Sequence, residues 1–230
     1  MLVEENQFIE APGPAPIDFP PALRGVAHVI SYICHPLFLP LLVTALCVNA
    51  LPEEFVFFRE QSIMFAYDTL LIRVGAITIL FPMLVVLLGR ALGFVGSIYM
   101  KSQRDRIIPY VASVIFYFWA FYTFKKEGEA PAFYVSFFLG IFLSVVFSLV
   151  ANNFLKISMH TVGWGGMIGF FTVLMWGMGM NVAVPLALIF VLSGLVATAR
   201  LILNAHTPAE VYIGFIGGIL MQWIAFGILG

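Results

Sequence analysis

Seven stretches of the chain, approximately 27–50, 69–89, 107–124, 131–152, 161–180, 182–203 and 209–229, are apolar over the roughly 17–25 residues that an α-helix needs to cross a bilayer. Nothing else in the sequence restricts the fold as strongly. A backbone in hydrocarbon must satisfy its own N–H and C=O groups, and for uninterrupted apolar runs of this length only the helix does so. The expected fold is therefore all-α, a polytopic helical membrane bundle of about seven transmembrane helices. Six is the alternative count, because the third stretch is short and carries Pro109 near its start. Composition excludes the soluble alternative: 62% of residues are hydrophobic and 10% charged, against about 25% charged in soluble domains. A net charge of −1 supplies no basic field, so nucleic acid is not an expected partner.

Residues 1–25 carry Glu4, Glu5, Glu10 and Asp18 among several prolines and lack a basic leading region, so they read as an irregular N-terminal arm rather than a signal peptide. Residues 26–230 then form a single membrane domain. Cys34 and Cys47 lie in one apolar run without metal-ligand spacing, and they read as core thiols. Ser136, Gly140, Ser144, Ser148 and Asn152 recur every fourth residue, which places a small-residue stripe on one face of the fourth span. Gly214 and Gly218 form a GxxxG in the last span, and Gly163, Gly165 and Gly166 open the fifth. Small residues of this kind serve close helix packing in lipid.

A chain that crosses seven times leaves alternate connections on opposite faces. With the N-terminal arm on side X, the 51–68 loop, the Lys125–Glu129 loop and the turn at Gly179 fall on side Y. Side X receives three polar clusters: KSQRDRIIP from Lys101, KISMHT from Lys156, and ARLILNAHTPAE from Ala199. They hold two of the four histidines and five of the 11 cations. Each immediately precedes a span entering from X, so three helix N-termini turn their positive dipole ends and free N–H groups toward one layer. That is the outline of an anion site.

These clusters resemble, in order, the motifs of the type 2 phosphatidic acid phosphatase (PAP2) superfamily of membrane lipid phosphatases, over Lys101 to Glu210. The family's third motif, Ser-Arg, five residues, His, three residues, Asp, is matched by Ala199-Arg200, LILNA, His206, TPA and Glu210. Its second, Pro-Ser-Gly-His, is matched by Ile157-Ser158-Met159-His160. Its first, Lys, six residues, Arg-Pro, is matched more loosely, by Lys101 five positions before Arg106 and by Pro109 three positions after it. The resemblance implies a PAP2/haloperoxidase-like helical core and hydrolysis of a lipid phosphate monoester or pyrophosphate through a phosphohistidine intermediate. By it His206 is the nucleophile, His160 the general acid and then base, and Glu210 the carboxylate that orients His206. Arg200, Arg106, Lys101, Lys156 and Ser158 would bind the phosphate. No metal and no cofactor are implied, and the implied partner is a lipid phosphate within the bilayer.

The chemistry is physically consistent with those residue types. A phosphoryl group in transfer spreads charge over its equatorial oxygens, which forked guanidinium donors and a lysine point charge are suited to hold. Thr207-Pro208-Ala209-Glu210 is also a capping box, which alone gives Glu210 a purpose. His28 and His35 read as packing residues. Arg73, one turn inside the second span with Asp68 five residues before it, reads as snorkelling or structurally paired. Two alternative functions remain at this stage: a phosphotransferase that passes the group to an alcohol on the same site, and a non-catalytic PAP2-like membrane subunit. The charge bias of the loops and the resemblance together give the expected location, a bacterial inner (plasma) membrane with the site facing away from the cytoplasm.

Overall fold

In a computed structural model of the protein, residues 17–94 and 103–229 are described. Among them are ten α-helices and no strand: α1 Pro21–Ile33, α2 Leu39–Ala50, α3 Val56–Glu60, α4 Asp68–Gly75, α5 Phe81–Ala91, α6 Ile107–Glu127, α7 Ala132–Ala151, α8 Met159–Thr172, α9 Ala183–Ile202 and α10 Pro208–Leu229. Six helical stretches are long and apolar enough to cross a membrane: α1 with α2, α4 with α5, α6 with the turn before it, α7, α9 and α10. Their outward faces carry large exposed apolar side chains, among them Leu87, Leu188 and Val191. Such a surface fits an integral membrane protein.

The expected fifth span differs from these six. It is helical as α8, and a π-helical turn at Val173–Gly177 extends it. Its glycines, His160 and two tryptophans lower its hydropathy, and its neighbours bury almost all of it. The α8 helix lies parallel to α10: Thr161 is beside Gly214, Gly169 beside Ile219, and Gly177 beside Phe226. Glycine is required at this seam. A Cβ on Gly218 would be driven into the Val162 carbonyl oxygen, and one on Gly165 into the backbone of Phe215. The small-residue stripe of α7 is buried as well, with Gly140 making room for the Gln222 side chain of α10. The Ser144 and Ser148 hydroxyls donate back to the carbonyls of Gly140 and Ser144 at 2.8 and 2.7 Å, so these two serines pack without bonds to a neighbouring helix.

The first span is broken, and the break matters for the site. Helix α1 ends at Ile33, and Pro36 and Pro40 follow: neither has an N–H to donate, Pro36 keeps its predecessor His35 extended at φ −66° and ψ 134°, and Pro40 stands in the first turn of α2. The carbonyl of Cys34, freed by the break, accepts the Trp164 indole N–H from α8 at 3.0 Å.

On side Y the polar residues hold the loops. Asp68 accepts N–H bonds from Ile63, Met64, Phe65 and Thr69, closing the turn that leads into α4. Arg73 therefore pairs elsewhere, with Glu127 at the end of α6, through two bonds of 2.6 and 2.8 Å and with the Phe124 ring 4.5 Å beneath its guanidinium. Residues five apart do not share a helix face, which explains why Asp68 is not its partner.

Candidate active site

Three connections meet at the side X end of the bundle. The segment before α6 is tied to the end of α7 by the Asn152 amide donating to Gln103 O at 3.0 Å. Arg106, in a short turn leading into α6, donates from Nη1 to Ile157 O at 2.9 Å. The link between α7 and α8 is thereby held against the α6 entrance. It carries Lys156 and the buried Ser158, which stands at the N-cap of α8. The α9–α10 turn docks on the same link, where His206 Nδ1 donates to Lys156 O at 2.9 Å. Asn204, at a positive φ of 49°, makes that turn tight enough to bring His206 inward.

The tautomers of both histidines follow from their partners. His206 Nδ1 lies 2.9 Å from the Lys156 carbonyl and 3.2 Å from Glu210 Oε2. Both are acceptors, so Nδ1 carries the proton and Nε2 keeps its lone pair. His160 is the mirror case: its Nε2 is 3.0 Å from Ser31 O, so it donates there, and Nδ1 is its remaining nitrogen. Burial pushes the His206 imidazole below its ordinary value. The Glu210 hydrogen bond opposes this, and the Arg200 and Arg106 guanidinium groups reinforce it.

Glu210 has two occupations. The Thr207 N–H donates to Glu210 Oε2 at 3.0 Å and the Glu210 N–H to Thr207 Oγ1 at 3.3 Å, the two halves of a capping box. One carboxylate oxygen thus serves the helix cap and the imidazole together.

Arg200, in the last turn of α9, donates from Nη1 to Ser31 Oγ at 3.3 Å. Its Nε and the Ser158 hydroxyl are buried with no hydrogen-bond partner among the described residues. Buried polar atoms are rarely left so, since each unmet group costs about 1–3 kcal/mol. Both are donors, and what would satisfy them is an acceptor-rich ligand.

Of the residues singled out by the sequence, Arg106, Lys156, Ser158, His160, Arg200, His206 and Glu210 come together in this layer. Lys101 lies outside the described residues. Two contributors escaped the sequence reading. Ser31 supplies its carbonyl to His160 and its hydroxyl to Arg200. His35, expected only to pack, sets its ring edge-on to that of His160 with centroids 5.2 Å apart. The His-Pro pair inside an apolar run was the available signal, because broken helices at membrane depth belong where backbone lines a site. Among the described residues no group of three or more His, Cys, Asp or Glu side chains could hold a metal ion.

No protein-family model matches the chain, and neither a curated protein nor a solved structure matches it.

Proposed function

We propose that the protein is a PAP2-like membrane lipid phosphatase with a PAP2/haloperoxidase-like helical core, working through a phosphohistidine. The observation that carries this reading is the pairing of a buried, Nδ1-protonated His206 with two unmet donors, Arg200 Nε and Ser158 Oγ, in the same layer. An imidazole held by a carbonyl and a carboxylate on one nitrogen presents the other as a nucleophile.

In the proposed reaction the phosphate lies among Arg200, Arg106, Ser158 and the Lys156 cation. His206 Nε2 attacks phosphorus as the ester P–O bond breaks. The leaving oxygen takes the Nδ1 proton of His160 in its imidazolium form, whose Nε2–H stays on Ser31 O, so that the ring is left neutral. A water then attacks the phosphoryl group on His206, passing a proton back to His160 and releasing inorganic phosphate. The N-terminal turns of α8 and α10 add positive potential as charge develops on the phosphoryl oxygens. The hydrocarbon part of the substrate remains in the bilayer. The loop charges and the motif resemblance support a bacterial inner membrane with the site facing away from the cytoplasm.

The test is phosphate release by the purified protein in nanodiscs over a panel of lipid monophosphates and pyrophosphates, with alcohols added as competing acceptors. Release that is lost in His206→Ala is the expected result. Transfer to the alcohol in preference to water would make it a transferase, and no turnover on any substrate would leave a non-catalytic anion-binding subunit.

A further inference from the structure

The break in the first span is fastened to one face of α8. His160, Gly163 and Trp164 stand at i, i+3 and i+4 on that helix and so lie on the same side of it. Ser31 O, from the last turn of α1, takes the His160 Nε2–H at 3.0 Å, and Cys34 O takes the Trp164 indole N–H at 3.0 Å. Gly163 lets Pro36 close on this face, since a Cβ there would come within 3.0 Å of the proline ring. Between these anchors lies His35, whose ring stands at 81° to that of His160 with centroids 5.2 Å apart.

His35 is itself held. The proline after it keeps its backbone extended, and its Nδ1 accepts the Leu37 N–H at 3.2 Å. An accepting Nδ1 leaves the proton on Nε2 and the ring neutral, so His35 brings no second charge beside the His160 imidazolium of the proposed mechanism. The His160 ring, by contrast, is bonded among the described residues through Nε2 alone. One bond fixes that atom and leaves the ring free to swing about it, and a swing carries Nδ1 away from the leaving oxygen. A second ring packed nearly at a right angle removes that freedom.

We infer that His35 is a positioning residue, which holds the plane of the His160 imidazole so that Nδ1 stays aimed at the leaving oxygen. The inference rests on the phosphatase reading for the step it serves, and it extends the site to the first span, ahead of all the motif residues. Proton transfer needs the nitrogen within about 2.6–3.2 Å of the oxygen, and a misplacement of about 1 Å costs on the order of 100-fold.

Substitutions at this position separate the ring from the cap on Leu37. His35→Phe keeps a ring and loses the cap, His35→Asn keeps an acceptor for the cap and loses the ring, and His35→Ala loses both. The full-length protein in nanodiscs is assayed with dodecyl phosphate, whose leaving oxygen must be protonated, and with para-nitrophenyl phosphate, whose leaving group needs no proton. The ratio of kcat/KM for the first to that for the second should fall about 10- to 100-fold in the Ala and Asn variants and stay within about threefold of the unmodified protein in the Phe variant. A merely structural role lowers both alike and leaves the ratio unmoved. An unchanged ratio in His35→Ala, or rescue by Asn and not by Phe, overturns the inference.

A second measurement needs no turnover. Nitrogen NMR of protein labelled at its histidines, with the His160 signals assigned by their loss in His160→Gln, should show one Nε2-protonated tautomer in the unmodified protein and in His35→Phe. In His35→Ala and His35→Asn the two ring nitrogens should average or broaden. His160 signals that are identical in all these proteins overturn the inference even where the phosphatase reading stands. The expected signals in a protein that turns over neither substrate sink the phosphatase reading alone and leave His35 as the residue that sets His160.

Discussion

His206 Nδ1 stands 3.2 Å from Glu210 Oε2, and the same oxygen accepts the Thr207 N–H at 3.0 Å. On the proposed mechanism stability and chemistry meet on one atom, and substitutions can pull them apart. Glu210→Gln keeps an acceptor for the cap but removes the charge facing His206, so kcat should fall by about tenfold with thermal stability little changed. Thr207→Ala removes the other half of the cap and should cost about 0.5–2 kcal/mol of stability while sparing kcat. Activity assays and thermal melts of both variants check this, and a Gln variant with full activity would leave Glu210 a cap alone.

The pH dependence has a definite sign. Burial holds His206 below its ordinary value, with Arg200 and Arg106 acting the same way against the Glu210 bond. The unfolded chain, whose histidines titrate near 6.5, then binds the extra proton first as the pH falls. The stability contribution is present above about pH 6.5 and is lost as the pH falls toward the lowered folded-state value. Melts between about pH 5 and 8 should show the unmodified protein losing stability toward acid more steeply than His206→Gln. The acid limb of activity, which reports neutral His206, should lie below the ordinary histidine range.

Arg200 offers a buried Nε, without a hydrogen-bond partner among the described residues, that a lysine cannot reproduce. Orthovanadate binding should weaken roughly 10- to 100-fold in Arg200→Ala, and Arg200→Lys should recover little of it. Lys101→Ala, out of register with the family's first motif, should cost less. Titration by intrinsic fluorescence measures all three, and equal, negligible losses would show that the donors do not share a ligand.

The topology is testable in a background with Cys34 and Cys47 replaced. Gly128→Cys, after α6, and Ala205→Cys, beside His206, should label from opposite faces of the membrane. Labelling from the same face would mean that α7, α8 and α9 do not cross as three passes.

Spacing in the sequence put His206 and Glu210 at the entrance of α10, with Arg200 in the last turn of α9 just before it, because i to i+4 relations and capping boxes are local and survive as pattern. The apolar runs likewise marked the helices. What pattern could not show were partners distant in the chain. Arg73 reads as snorkelling or structurally paired, and it is paired, but its carboxylate is Glu127, 54 positions away, because Asp68 is consumed by its own turn. Ser31 acts on His160 through its backbone carbonyl, which no motif encodes. His35 does pack, but nothing in its apolar run says that the ring it packs on is that of His160. The count of spans blurred at α8 for a related reason: a helix enclosed by other helices is free to carry glycine where a lipid-facing one would carry leucine.

The central claim is that His206 Nε2 takes the phosphoryl group. Rapid-quench trapping with a radiolabelled lipid phosphate at neutral pH, followed by peptide mapping of the acid-labile adduct, tests it most directly. The account predicts phosphate on His206, absent in His206→Ala and accumulating more slowly in His160→Ala unless the leaving group is an aryl oxide. Phosphate on His160, or full turnover in His206→Ala, would contradict it.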